Sequence, residues 1–85
     1  PIPPLSEERR VELTKIAGRY TEESRVAVRN IRRHTMDDLK KSEKEGAISE
    51  DEHRDYADIV QEMTDQIIAK IDEALAKKEE EILQI

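Results

Sequence analysis

The chain has 85 residues, 35% apolar and 42% charged, with no cysteine, tryptophan or phenylalanine. That length allows one domain at most with a modest core, and the absence of cysteine excludes a disulfide framework, a thiolate zinc site and a thiol nucleophile. The net charge of −6 is unevenly placed: residues 1–34 carry eight Lys/Arg against five Asp/Glu, and residues 35–85 carry seven against sixteen, so an anionic partner must be judged locally and not from the total.

Apolar runs are only a few residues long, too short to span a membrane. No basic segment followed by an apolar stretch marks a signal peptide. A reducing, cytoplasmic setting is compatible with both. Pro1-Ile2-Pro3-Pro4-Leu5 cannot be helical, because proline lacks the amide donor and drives its predecessor into extended geometry. Residues 1–5 read as a stiff linker or hinge, and a start at Pro1 instead of Met reads as a fragment or processed product.

Ser6 is placed as an N-cap, with Glu7 and Glu8 favoured by the helix dipole in the first turn. The spacing predicts a first helix over about 7–44. Leu13, Ile16, Ala17, Tyr20, Ser24, Ala27, Ile31, Thr35 and Leu39 recur at three- and four-residue steps and define its expected apolar stripe. Gly18 should be tolerated within it at up to ~1 kcal/mol relative to Ala. Glu45-Gly46-Ala47-Ile48 is the break, with Gly46 suited to a helix C-terminus. Ser49-Glu50-Asp51-Glu52 then matches a capping box, and Ile48 is placed for a hydrophobic staple.

A second helix is predicted over about 50–83, with Tyr56, Ile59, Val60, Met63, Ile67, Ile71, Ala74, Leu75 and Ile82 as its stripe. Each helix is roughly 50 Å long at about 1.5 Å per residue. The short turn at 45–49 makes them antiparallel neighbours. The fold class is therefore all-α, an antiparallel long-helix hairpin over 6–85. The apolar arcs are wider than one contact needs, since Ile68 and Val28 extend them. The hairpin reads as two of the three helices of a three-helix bundle, or as one whose missing helix is replaced by oligomer contacts with a second copy.

Between Ser24 and His34 stand Arg25, Arg29, Arg32 and Arg33, with no acid among them. On a wheel of about 100° per residue they share an arc of about 100°, and the apolar stripe lies at about 180–280° from Arg25. The arginines are thus expected to point away from the partner helix. Guanidinium donates two parallel hydrogen bonds and is always charged, which suits phosphate. The arc reads as a grip on RNA phosphate. The competing reading is a solvated face, but like charges at i,i+4 slightly destabilise a helix and give no local reason for the cluster. His34 and His53 make no metal-ligand spacing. Adjacent acids such as Asp37-Asp38 point apart on a helix, wrong for catalytic carboxylates. No catalytic residue, cofactor, metal or small-molecule substrate is expected, so the chain reads as non-enzymatic.

Pro1-Ile-Pro-Pro-Leu-Ser-Glu-Glu-Arg-Arg10, Arg25-Val-Ala-Val-Arg-Asn-Ile-Arg-Arg33, Ile48-Ser-Glu-Asp-Glu52, Gln61-Glu-Met-Thr-Asp65 and Ala76-Lys-Lys-Glu-Glu-Glu-Ile-Leu83 follow one another in an order that resembles bacterial ribosome recycling factor. The resemblance implies a three-helix-bundle domain with a smaller α/β domain inserted after the first helix. This chain matches the C-terminal part: hinge, second helix and third helix. It implies binding between the ribosomal subunits, with elongation factor G as partner, subunit splitting, and release of messenger and transfer RNA. It also implies contact with large-subunit ribosomal RNA through Arg10, Arg29 and Arg32, with Arg25, Asn30 and Arg33 as neighbours in that contact. A hairpin without the inserted domain is expected to be inactive in recycling. The rival class is a helical-hairpin oligomerisation module with a solvated charged face.

Overall fold

The structure, a computed structural model, describes residues 6–84. The expected hinge at residues 1–5 lies outside the described residues. Two helices account for nearly all the rest: α1 (Glu7–Lys44) and α2 (Glu50–Gln84). They pack side by side as an antiparallel hairpin with extents of 66 × 15 × 15 Å.

The ends form where the side chains offer backbone partners. Ser6 Oγ accepts the Arg9 amide at 3.1 Å. Gly46 takes φ +79°, the left-handed conformation that L side chains resist. The Gly46 amide donates to the Glu43 carbonyl at 3.0 Å and the Ala47 amide to the Ser42 carbonyl at 2.9 Å, the paired bonds of a Schellman motif. Ser49 and Glu52 complete the capping box: the Ser49 amide donates to Glu52 Oε1 and the Glu52 amide to Ser49 Oγ, each at 3.0 Å.

The two glycines should respond to alanine with opposite signs. A Cβ at either would meet nothing within 4 Å, so only the backbone decides. Gly46→Ala forces a side chain into the left-handed region and is expected to destabilise by about 1 kcal/mol. Gly18→Ala, inside α1, should stabilise by roughly 0.5–1 kcal/mol. Urea midpoints of the two variants moving in the same direction would contradict this.

The packed positions of α2 are His53, Ala57, Val60, Thr64, Ile68, Ile71, Leu75, Glu79 and Ile82. Their steps run four, three, four, twice over and then four, three, an eleven-residue period. That period, about 3.67 residues per turn, is close to the undistorted helix value, so a nearly straight pair keeps its seam in register. On α1, Arg10, Thr21, Arg32 and Glu43 recur at the same interval, as do Ala17, Val28 and Leu39, and all are half-buried.

Little is fully buried along this seam. Among the described residues only Ile82, 4% exposed, and Thr64, 7% exposed, are buried. The Thr64 hydroxyl is satisfied by the Val60 carbonyl at 2.7 Å.

One expectation is corrected. The stripe read from sequence had Ile16, Tyr20, Ala27 and Ile31 facing α2. The structure packs α1 on a line rotated by roughly 80° on the helical wheel, through Thr21, Arg25, Val28 and Arg32. Leu13, Ala17, Thr35 and Leu39 belong to both lines. The apolar arc of α1 is wide enough for two neighbours, and α2 takes only one edge of it. Tyr20 and Ile31 stay 67% and 65% exposed, and Ile59, Met63 and Ile67 of α2 stay exposed on the same side of the seam. Two open apolar grooves lie there. One, of about 550 Å³, runs between Ile16, Tyr20, Ala74 and Ile82. The other, of about 240 Å³, runs between Ile31, Val60, Met63 and Ile67.

Candidate nucleic-acid interface

The opposite side of the seam carries the arginines. Arg25 lies across it: its Nε donates to Asp72 Oδ1 at 2.7 Å, and its Nη2 stands 2.6 Å from the same oxygen. Its Nη1 donates to Glu22 Oε2 at 2.9 Å. The other oxygen of Glu22 stands 3.7 Å from Arg29 Nη1. Further along α1, Arg32 Nη1 reaches Gln61 Oε1 of α2 at 3.4 Å, and Gln61 Nε2 donates to Asp65 at 2.9 Å. At the far end, Arg10 Nη1 donates to the Leu83 carbonyl, in the last turn of α2, where the helix dipole favours a cation.

This arrangement differs from the sequence expectation in two ways. Arg10, Arg25 and Arg32 lie along the seam and are half-buried, not on a face turned away from the partner helix. Acids are also within reach: Glu22 sits three residues before Arg25 and seven before Arg29, and Asp72 comes from the other helix. Glu22 lies just before the acid-free segment 24–34. The eleven-residue step joining Arg10, Thr21, Arg32 and Glu43 was the signal that placed two of these arginines on the seam.

The six candidate residues therefore fall into two sets. Arg10, Arg25 and Arg32 reach across to α2. Arg29, Asn30 and Arg33 are exposed within one turn or so of α1. The side chains of Arg33 and Asn30 have no hydrogen bond or ion pair among the described residues. Exposed Val26 lies beside them, outside both apolar grooves.

The electrostatics follow the same division. The carboxylate of Asp72, and then that of Glu22, hold the Arg25 guanidinium above its ordinary range. Its charge is already answered within the fold. Arg29 meets Glu22 only at the limit of an ion pair, between side chains about half exposed. Such a pair is worth roughly 0–1 kcal/mol and is screened by salt, so an incoming phosphate can displace it. Two guanidiniums and an amide side by side supply several donors to phosphate oxygens.

Other chemistries find little footing. Among the described residues no three His, Cys, Asp or Glu converge to hold a metal. His53 Nδ1 meets Glu43 Oε1 at 3.1 Å beside the turn, a pair that ties α2's first turns to the end of α1. No helix of the described residues is long and apolar enough to cross a membrane.

A straight helical hairpin with one flank apolar and open, and the other lined with arginine, is a portion of a helical bundle. A family model described as Ribosome recycling factor matches residues 1–83, and the chain belongs to that family. It is similar to the ribosome-recycling factor of Hyphomonas neptunium, 65% identical over 85 residues, which is all of this chain and 46% of that protein. Against the ribosome-recycling factor of Rhodospirillum centenum it is 61% identical over the same 85 residues, 46% of that protein. Against that of a Caulobacter species it is 59% identical, covering 45%. The chain thus spans about half the length of these relatives.

Proposed function

We propose that this chain is the RNA-gripping portion of a protein that recycles ribosomes after termination. The bundle binds large-subunit ribosomal RNA between the subunits through Arg29, Asn30 and Arg33, with Arg32 at the edge of the contact. With elongation factor G and its GTP hydrolysis, the whole protein splits the subunits and frees messenger and transfer RNA. It does so without a catalytic site of its own, in the cytoplasm.

The observation that carries this reading is the placement of Arg29, Asn30 and Arg33. They are exposed on the side of the seam away from the apolar grooves. A third helix can complete the bundle over the grooves and leave the arginines uncovered. The half of the relatives' length that this chain does not span is long enough to supply that helix and a second domain for elongation factor G to act on.

A splitting assay tests it. Post-termination ribosomes supplied with elongation factor G and GTP should dissociate when the intact protein is added, and not when the 85-residue chain is added. Arg29→Ala with Arg32→Ala in the intact protein should slow splitting at limiting protein by at least tenfold. Splitting at the unmodified rate by that double variant would defeat the RNA reading.

A further inference from the structure

α1 is apolar over more of its surface than α2 covers. Its apolar arc runs from Ile16, Tyr20 and Ile31 round to Ala17, Val28 and Leu39, and a rotation of roughly 80° about its own axis would exchange one apolar line for the other. Apolar burial is non-directional and roughly proportional to area, so it separates two such packings weakly. The side chains facing α2 around the middle of α1 include Thr21, Arg25 and Arg32, so the packing there is far from a continuous apolar stripe. Polar pairs are directional and choose between packings of similar apolar content. A single polar residue in a coiled-coil seam fixes register in the same way.

We propose that Arg25, held by Asp72 and Glu22, is a rotational lock, a positioning residue that fixes which edge of α1 faces α2 and thereby where Arg29 and Arg33 point. This rests on the RNA reading above for its consequence, although not for its geometry. Arg25 brings two guanidinium nitrogens to within 2.7 Å of one oxygen of Asp72 and donates a further hydrogen bond to Glu22. Its side chain is 20% exposed, against 49% for Arg29. In the alternative rotation Arg25 would stand roughly 110° from the seam and could not reach Asp72. The lock also links to the grip, because Glu22 holds Arg25 through one oxygen and approaches Arg29 with the other. Arg25 therefore belongs to the machinery that aims the contact, and not to the set that touches phosphate.

The test uses the intact protein, large ribosomal subunits and a range of salt concentrations. A residue that touches phosphate contributes about one unit to the log–log salt slope, and a residue that only positions others contributes none. Arg25→Ala and Asp72→Ala should each weaken binding by about three- to tenfold with the slope unchanged. Arg29→Ala should lower the slope by about one unit. The exchange Arg25→Asp with Asp72→Arg should recover more than half of the logarithmic loss caused by Arg25→Asp alone.

If Arg25→Ala does not fold, Arg25→Lys replaces it. Lysine keeps the charge but loses the two donors converging on Asp72, so the lock still predicts weaker binding at constant slope. Arg25 variants that lower the slope, with no recovery in the exchange, would make Arg25 a phosphate ligand and overturn the lock. Tighter binding by Asp72→Ala would overturn it as well, since Asp72 would then be only a competitor for the arginine. If Arg29→Ala changes neither affinity nor slope, the RNA reading fails instead. The lock is then read from melting, where the exchange must restore the midpoint lost in Arg25→Asp, and no restoration overturns it.

Discussion

Alone in solution, the 85-residue chain is expected to self-associate, and Ile67→Asp with Ile31→Asp is expected to return it to a monomer. Ile16, Tyr20, Ile31, Ile59, Met63 and Ile67 line one side of the hairpin, each more than a third exposed. Covering the remainder of each is worth about 1 kcal/mol, so the flank offers on the order of 5–7 kcal/mol to whatever covers it. The hairpin's own seam is thin, with two buried residues among those described, and a chain this short is marginal without further burial. Association itself costs at least about 4 kcal/mol, so the assembly should be weak and its mass should rise with concentration. Light scattering across a hundredfold range, read against the 9.9 kDa chain mass, makes the measurement. A fully helical species that stays at 9.9 kDa throughout would show that the flank needs no cover.

The same substitutions separate the two functional classes. If the flank serves a third helix of the same protein, the intact protein is monomeric and Ile67→Asp destabilises it by roughly 2–4 kcal/mol, the cost of an uncompensated charge at a covered apolar site. If the hairpin is an oligomerisation module, the intact protein is already a dimer and Ile67→Asp dissociates it.

The helix boundaries were legible because each rests on local chemistry. Ser6, Gly46 and the Ser49–Glu52 box act within three or four residues of themselves, and each adopts the bond its type implies. The second helix ends at Gln84, one residue beyond the expectation. The rotation of α1 was not legible from the apolar pattern. Periodicity reports how wide the apolar arc is, and a wide arc has two edges with no label for which neighbour takes which. The label is carried by Arg25 and Asp72, 47 residues apart in sequence, a pairing that local spacing does not reveal. Arg29, at the middle of the basic arc, and Arg33, on its far side, were legible as outward-facing all the same, because both stay turned from α2 in either rotation. Arg10, Arg25 and Arg32 occupy its edge, and an edge is what a rotation changes.

This difference between middle and edge makes Arg29 and Arg32 respond differently, and it sets the largest effect expected on binding. A charge-assisted hydrogen bond to phosphate contributes about 1.5–3 kcal/mol, so each arginine removed should weaken large-subunit binding by roughly ten- to a hundredfold. Arg29→Ala gives up only a 3.7 Å contact with Glu22 and leaves that acid on Arg25, so melting should hold within about 0.5 kcal/mol. Arg32 is half-buried on the seam and donates to Gln61. Arg32→Ala removes its packed stem as well as its charge, and should lower stability by about 1 kcal/mol in addition to weakening binding. The double variant should lose two units or so of salt slope between 50 and 200 mM. Titration of the intact protein and its variants onto large subunits at both salt concentrations measures this. An Arg29→Ala variant that binds as tightly as the unmodified protein, with an unchanged slope, would remove Arg29 from the contact and leave the exposed arginine turn as solvated surface.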